Sequence, residues 1–332
     1  MSPPPDQDTA DYAALDPERV LQAVDTTGLN TDGHLHALNS YENRVYQVGL
    51  EDGSFVVAKF YRPHRWSDAA ILEEHGYTQE LADAELPVAT PMQIDGTSLL
   101  QHAGYRFALY PRVHGRAPEL DRPQHLRQFG RLLARIHNIG ALRAFRARPR
   151  LSIEEFGEAS ASYLLDQSFI PAELREAYAT LTRDLLNSIR DCFARAGEPH
   201  SLRLQGDCHP GNVLWGTDGP WLVDFDDARQ GPVIQDLWMF LSGDRDYMRA
   251  RLGDLLEGYC AFREFDAREL HLIEALRSLR MLHHAAWLAR RWQDPAFPRA
   301  FPWFNSQRYW EEHLLSLREQ FALVQEPPLE MS

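Results

Sequence analysis

Three oxygen-bearing side chains lie within a short stretch of the chain: Asp207 and Asn212 in Gly206-Asp207-Cys208-His209-Pro210-Gly211-Asn212, and Asp224 in Val223-Asp224-Phe225-Asp226-Asp227. Moving a phosphoryl group onto an alcohol needs a carboxylate beside the attacking hydroxyl. It also needs hard oxygen ligands that hold a divalent cation on the β- and γ-phosphates. Asp207 suits the first task. Asn212, five residues later at the end of a tight loop, offers an amide oxygen, and Asp224 offers a carboxylate. Taken singly, each has a plainer reading as a turn residue, a left-handed loop residue or a strand-end cap. Their joint placement carries the inference.

Two short strand-like pieces, residues 212–215 and 221–224, flank the turn cluster Gly216-Thr217-Asp218-Gly219-Pro220, which predicts a β-hairpin that brings Asn212 and Asp224 together. Upstream, residues 17–24 predict a helix with Asp16 as N-cap and Pro17 in the first turn. Residues 44–50 and 54–61 are rich in β-branched and aromatic side chains. The Asp52-Gly53 signal between them predicts an antiparallel hairpin. A helix is expected from Ser67 to Ala84, ended by Pro87 and Pro91, and strands at 97–102 and 105–110. The proline- and glycine-bearing segment 111–118 reads as a hinge. Beyond Leu120 the apolar spacing is helical, clearest at 127–139 and 172–196.

With 332 residues, 44% hydrophobic and 25% charged, the chain exceeds what one compact domain usually holds, so two lobes are expected. A net charge of -14 disfavours nucleic-acid binding, which requires concentrated basic surface. Cys192, Cys208 and Cys260 are too scattered for a disulfide framework or a CxxC metal site, which fits a reducing cytoplasm. The first residues have neither a basic start nor an apolar run and read as a flexible leader. No stretch is long and apolar enough for a membrane span. Fourteen histidines bring no HExxH or zinc spacing, and no GxSxG nucleophile motif occurs.

The Asp207-to-Asn212 interval matches the protein-kinase catalytic loop, and Asp224 stands in the DFG-like position. The two segments resemble the Brenner-type signature shared by aminoglycoside phosphotransferases and choline kinases, a family built on the protein-kinase fold. Residues 38–46, 59–63, 226–229 and 235–239 are similar to those of a bacterial serine/threonine protein-kinase branch of that fold, and the likeness runs from about Leu38 to Trp238. It implies ATP and Mg2+ as cofactors, with Lys59 as the phosphate-binding lysine, Glu74 (or alternatively Glu73) as its helix partner, and Ser40 at the nucleotide. The loop 39–43 has no glycine where kinases carry GxGxxG, so polar side chains and backbone N–H groups would form the cradle. Residues 107–113 would border the adenine. Gln205 stands where the family pattern has histidine, and Asp236 is implied to brace the catalytic loop. Asp226 is expected to assist magnesium or loop geometry, and Asp227 or Arg229 to form an ion pair.

These readings predict a two-lobed α/β (α+β) protein-kinase-like fold. Residues 1–15 form the leader, 16–112 an ATP-binding lobe of antiparallel strands with one key helix, 113–324 a mainly helical catalytic and substrate lobe, and 325–332 a tail. The expected activity is ATP-dependent phosphorylation of Ser/Thr hydroxyls on protein substrates, autophosphorylation included, by a monomer without nucleic-acid or membrane partners. Small alcohols of the aminoglycoside, choline or sugar type are the alternative acceptors. An ATP-binding regulator without catalysis is a third reading.

Overall fold

The computed structural model describes Tyr12, residues 14–197 and residues 199–330. In chain order the elements begin with α1 (Pro17–Asp25), β1 (Thr31–Ala37), β2 (Arg44–Leu50), β3 (Phe55–Phe60), α2 (Asp68–Asp83), β4 (Leu100–His102) and β5 (Tyr105–Pro111). They continue with α3 (Pro123–Gly140), a π-helical turn (Glu154–Glu158), α4 (Ala159–Asp166), α5 (Ala172–Ala196), β6 (Leu202–Leu204), β7 (Val213–Gly216), β8 (Gly219–Leu222) and β9 (Arg229–Gly231). Helices α6 (Arg245–Tyr259), α7 (Ile273–Arg290), α8 (Ala296–Ala300) and α9 (Gln307–Gln325) close the chain.

Two compact units result, and their division is discontinuous rather than a single boundary near residue 112. The first holds the described residues through Glu119, with Phe145–Arg148 and Pro210–Ala228. The second holds Leu120–Ala144, Pro149–His209 and the described residues from Arg229 onward. The β7-β8 hairpin therefore belongs with the sheet unit. Its strands add backbone bonds there, Trp215 exchanging N–H and C=O with Arg116, and Leu222 C=O accepting from Ala89 N–H at 3.1 Å.

In the first unit the antiparallel sheet has the order β1-β2-β3-β5-β4. Val56, Ala58 and Phe60 point into a core shared with Val20 and Val24 of α1. The pleat turns Val57 and Lys59 to the other face. Asp16 caps α1 by accepting Arg19 N–H at 2.9 Å, and Ser67 caps α2 by accepting Ala70 N–H at 3.2 Å. The expected leader is packed at its end. Tyr12 donates its hydroxyl to Phe60 C=O at 3.0 Å and stacks on Tyr105, and Leu15 is buried. Most of the rest of that leader lies outside the described residues.

The second unit is mainly helical, with the short pair β6-β9 inside it. Helices α3 and α6 approach closely at Gly130 and Gly258, where an added Cβ would run into the backbone carbonyls of Leu255 and Arg127. Of the expected tail, Leu329 is buried, and Arg245 donates to the carbonyls of Pro327 and Pro328 at 2.9 and 3.1 Å. The fold is mixed, with a five-stranded antiparallel sheet unit and a larger helical unit.

Candidate active site

Lys59 sits at the centre of the sheet, flanked in register by Val45 of β2 and Ala108 of β5. Its side chain is only 7% exposed, and Nζ lies 3.0 Å from Asp224 Oδ1 and 3.2 Å from Asp226 Oδ1. Burial works against the ammonium charge, but Asp224 and Asp226 outweigh it and hold the Lys59 pKa well above the ordinary value. Asp224 has left-handed backbone, with φ 54, which is costly for a residue with a Cβ and recurs at functional turns. That conformation opens the 3-10 turn of residues 225–227, and the Asp224 carboxylate stays half exposed.

Glu74 of α2 is buried, and burial pushes its carboxyl up to about 7 despite the charges of Lys59 and Arg148. It acts on Lys59 through space, while the close ion pairs of Lys59 are those with Asp224 and Asp226. Glu73 is engaged elsewhere. Its carboxylate accepts the backbone N–H groups of Arg146, Ala147 and Arg148 at 2.6, 2.7 and 2.8 Å.

Ser40, Val57, Lys59, Asn212, Leu214 and Asp224 line one cavity of about 450 Å³ within the first unit. Pro111, Arg112 and Val113 form another part of its wall. The hairpin brings Asn212 and Asp224 close along the chain, because Asn212 ends a 3-10 turn and its C=O accepts the N–H of Val223, next to Asp224, at 3.0 Å. No group of three His, Cys, Asp or Glu side chains that could hold a metal occurs among the described residues. A cation here would depend on Asp224 and Asn212, with phosphate oxygens completing the shell. An all-oxygen set of this kind suits a hard cation, and the Lys59 ammonium between two carboxylates marks a place where positive charge is stabilised.

A set of residues that sequence reasoning missed ties the polar loop 39–43 to the aspartate turn. Arg65 bonds Asp226 and also Asp227 Oδ1 at 2.8 Å, with Glu42 Oε1 at 3.7 Å. Arg62 Nε lies 3.0 Å from the same Glu42 oxygen, and Arg62 N–H donates to Asn43 Oδ1 at 3.1 Å. Burial would raise the Asp226 carboxyl, yet Lys59 and Arg65 hold it at about 2. The sequence signal was present as two arginines just after the Lys59 strand, but the segment looked like an ordinary polar connector.

Asp207, expected from the sequence to serve as base, lies in the second unit. Asp236 Oδ1 and Oδ2 accept the N–H groups of Gly206 and Gln205 at 2.8 and 2.9 Å, and Oδ2 also faces His137 Nε2 at 3.2 Å. Gln235 Nε2 donates to Gly206 C=O at 2.8 Å. Gln205 in turn accepts the N–H of Asp207 on its Oε1 at 2.9 Å. The loop is thus fixed from both sides. Asp207 Oδ1 is bonded by Arg280 of α7, and Oδ2 lies 3.4 Å from His209 Nε2.

Similarity to known proteins agrees with this arrangement. Residues 34–273 match the phosphotransferase enzyme family. Stress response kinase A of Salmonella choleraesuis strain SC-B67 is 43% identical over 321 residues, covering 97% of each chain. The protein named serine/threonine protein kinase RdoA in Salmonella typhimurium strain LT2 is 43% identical with the same coverage. Among solved structures, the amicoumacin kinase hAmiN in complex with AMP-PNP, Ca2+ and Ami superposes with a TM-score of 0.73 at 20% identity, covering 95% of each chain. The microcompartment-associated aminopropanol kinase reaches 0.70 at 19% identity, covering 93% of this chain and 97% of its own. The protein is a phosphotransferase with an alcohol acceptor, and its chain belongs to the phosphotransferase enzyme family.

Proposed function

We propose that this protein is an ATP- and Mg2+-dependent serine/threonine protein kinase that acts in a stress response. The observation that supports this most strongly is the cavity in which Ser40, Lys59, Asn212 and Asp224 meet. Its composition suits a nucleoside triphosphate: Val57 and Leu214 offer apolar walls to a base, and Lys59 and Ser40 offer donors to phosphates. The relative named serine/threonine protein kinase RdoA favours a protein acceptor over a small alcohol, and the one named stress response kinase A favours the stress role.

In this reading Lys59 binds phosphate oxygens, with Glu74 acting on it from α2. Asn212 and Asp224 would hold Mg2+, which when bound would supply positive charge against that building up on the phosphates. Asp207 orients the Ser or Thr hydroxyl and takes its proton as the oxygen attacks the γ-phosphorus. The new O–P bond forms as the bond from γ-phosphorus to the β,γ-bridging oxygen breaks, and ADP leaves. The protein works as a monomer in the reducing cytoplasm, a compartment in keeping with its free cysteines.

Incubation with γ-labelled ATP and magnesium tests the acceptor class. The protein alone, a generic protein substrate and a panel of small alcohols are the three arms. Label on Ser or Thr is expected, in the substrate or in the protein itself. Label on a small alcohol alone would replace the protein-kinase reading, and ATP binding without any transfer would make the chain a regulator.

A further inference from the structure

The guanidinium of Arg280 bonds the carboxylate that the proposed mechanism uses as base. This contact joins α7 to the catalytic loop within the second unit. Both side chains remain reachable, Arg280 being 43% and Asp207 24% exposed. Other charged groups on and near α7 are engaged elsewhere: Glu274 with Arg277, and Glu158 with Arg190. Among the described residues, Asp207 is the acidic partner of Arg280.

The chemistry of transfer puts a demand on this pair. To accept a proton from an incoming hydroxyl Asp207 must be basic, and a guanidinium on its Oδ1 stabilises the ionised carboxylate and so weakens it as a base. An acceptor that supplies its own anion gives Arg280 a replacement partner and releases the carboxylate for the hydroxyl. A cationic acceptor does the reverse, bringing a like charge to Arg280 and competing for Asp207. The surroundings fit the first case. Successive turns of α7 carry Arg280, His284 and Trp287, the two rings stacking at 5.6 Å; burial and Arg280 hold the His284 pKa at about 4, so this stretch offers the Arg280 cation and neutral aromatic rings, with no acidic residue between Arg277 and Arg290. It contrasts with the chain as a whole, whose net charge is -14.

We propose that Arg280 is a specificity-determining residue of the acceptor site, reading a carboxylate or phosphate next to the hydroxyl that is phosphorylated. The inference rests on the protein-kinase reading above and narrows it to acidic Ser/Thr sequences. Arg280 then also acts as a positioning residue for Asp207, held against it until the acceptor arrives.

The test uses the full chain with magnesium and ATP. Its substrates are Ser/Thr peptides matched in length, with Asp or Glu, phosphoserine, neutral residues or Lys at successive positions flanking the acceptor. For the unmodified protein, kcat/KM is expected to be at least about tenfold higher on the acidic or phosphorylated peptides than on the lysine peptides. The carboxylate and phosphate arms show which anion is preferred. Arg280→Gln is expected to erase the preference, and Arg280→Glu to invert it. Equal kcat/KM across the charge series for the unmodified protein would overturn the inference while leaving the protein-kinase reading intact. Transfer only to small alcohols would remove that reading, and the inference with it. The charge preference of the unmodified protein decides the matter even if a variant fails to fold.

Discussion

Lys59 Nζ rests 3.0 Å from Asp224 Oδ1, so the residue proposed to hold phosphate is paired with the residue proposed to hold metal. Asp226 stands at 3.2 Å on the same ammonium. In this arrangement the lysine neutralises the carboxylates that a divalent cation would otherwise neutralise. On the proposed roles, binding of metal and nucleotide would exchange these partners, Lys59 passing to phosphate oxygens and Asp224 to the cation.

Replacing Lys59 with Met should therefore do two separable things. It removes a phosphate ligand, and kcat/KM for ATP is expected to fall by about a hundredfold or more in steady-state assays. It also leaves buried Asp226 with Arg65 as its remaining close cation, so chemical denaturation should show a loss of about 2 kcal/mol at neutral pH. Unchanged ATP kinetics in the variant would remove Lys59 from the nucleotide site.

Asp226 also fixes the acid limb of stability. Its carboxyl is held at about 2, against 3.8 for an unperturbed aspartate. A depressed folded-state value means that the unfolded chain binds the extra proton. The stabilisation is present above about pH 4 and is lost as pH falls through about 2, amounting to about 2 kcal/mol. Denaturation of the unmodified protein and Asp226→Asn between pH 2 and pH 6 should show this dependence shrinking in the variant.

Arg65 should behave as a coupling residue and not merely as a stabilising one. It touches Glu42 in the polar loop that includes Ser40, and Asp226 and Asp227 beside Asp224. Arg65→Ala is expected to lower stability by about 3 kcal/mol, because it uncovers a buried carboxylate, and to raise KM for ATP. Arg65→Lys should recover part of the stability but little of the KM, since an ammonium cannot reproduce the planar fork that reaches three carboxylates. A variant with a lower melting temperature and unaltered KM would reduce Arg65 to a structural role.

The uneven legibility of these residues in the sequence has a physical basis. Local signals were strong where the neighbours in sequence are also the neighbours in space. The Asp52-Gly53 turn marked β2 and β3, and the Gly216-to-Pro220 cluster marked β7 and β8, so Lys59, Asn212 and Asp224 were found on their strands and turns. Strand β1 gave no such signal, because its sequence Thr-Asp-Gly-His-Leu-His-Ala is polar and sits at the exposed sheet edge. Arg65 and Arg280 were missed for another reason. Their partners lie 161 and 73 residues away, and no local pattern records an ion pair made only by the folded chain. The family resemblance could point to Glu74, but not to the capture of Glu73 by backbone N–H groups of residues 146–148.

Glu74 should give the protein a pH response near neutrality. Its carboxyl is raised from 4.5 to about 7 by burial, so the folded chain holds a proton that the unfolded chain has released. That preference favours folding below about pH 4.5 and is lost as pH rises through 7, a change of up to about 3 kcal/mol. In activity the direction is opposite. On the proposed roles, Glu74 ionised above pH 7 would compete with Asp224 for Lys59 and leave that carboxylate to the metal, so KM for ATP should fall as pH rises from 6 to 8. Glu74→Gln should flatten both curves, and a variant that keeps the wild-type slope in KM would assign that slope to another group.

The hydrogen bond from Asp207 N–H to Gln205 Oε1 turns an apparent departure from the family pattern into a measurable one. Glutamine supplies an acceptor here, and a histidine ring nitrogen can do the same, so Gln205→His is expected to keep transfer within a few-fold of the unmodified rate. Gln205→Ala leaves the Asp207 N–H without that acceptor and frees the loop on one side, while Asp236 still holds Gln205 and Gly206 N–H on the other. Loss of one such bond corresponds to about 1 kcal/mol and roughly a fivefold fall in kcat if it acts through the position of Asp207. The cavity proposed for the nucleotide is lined by other residues, so ATP affinity should be unchanged in single-turnover and equilibrium-binding measurements. Asp236→Asn should be worse in both kcat and melting temperature, because one amide cannot accept both N–H groups as the carboxylate does. An alanine variant as active as the unmodified protein would show that the glutamine contact does not position the base.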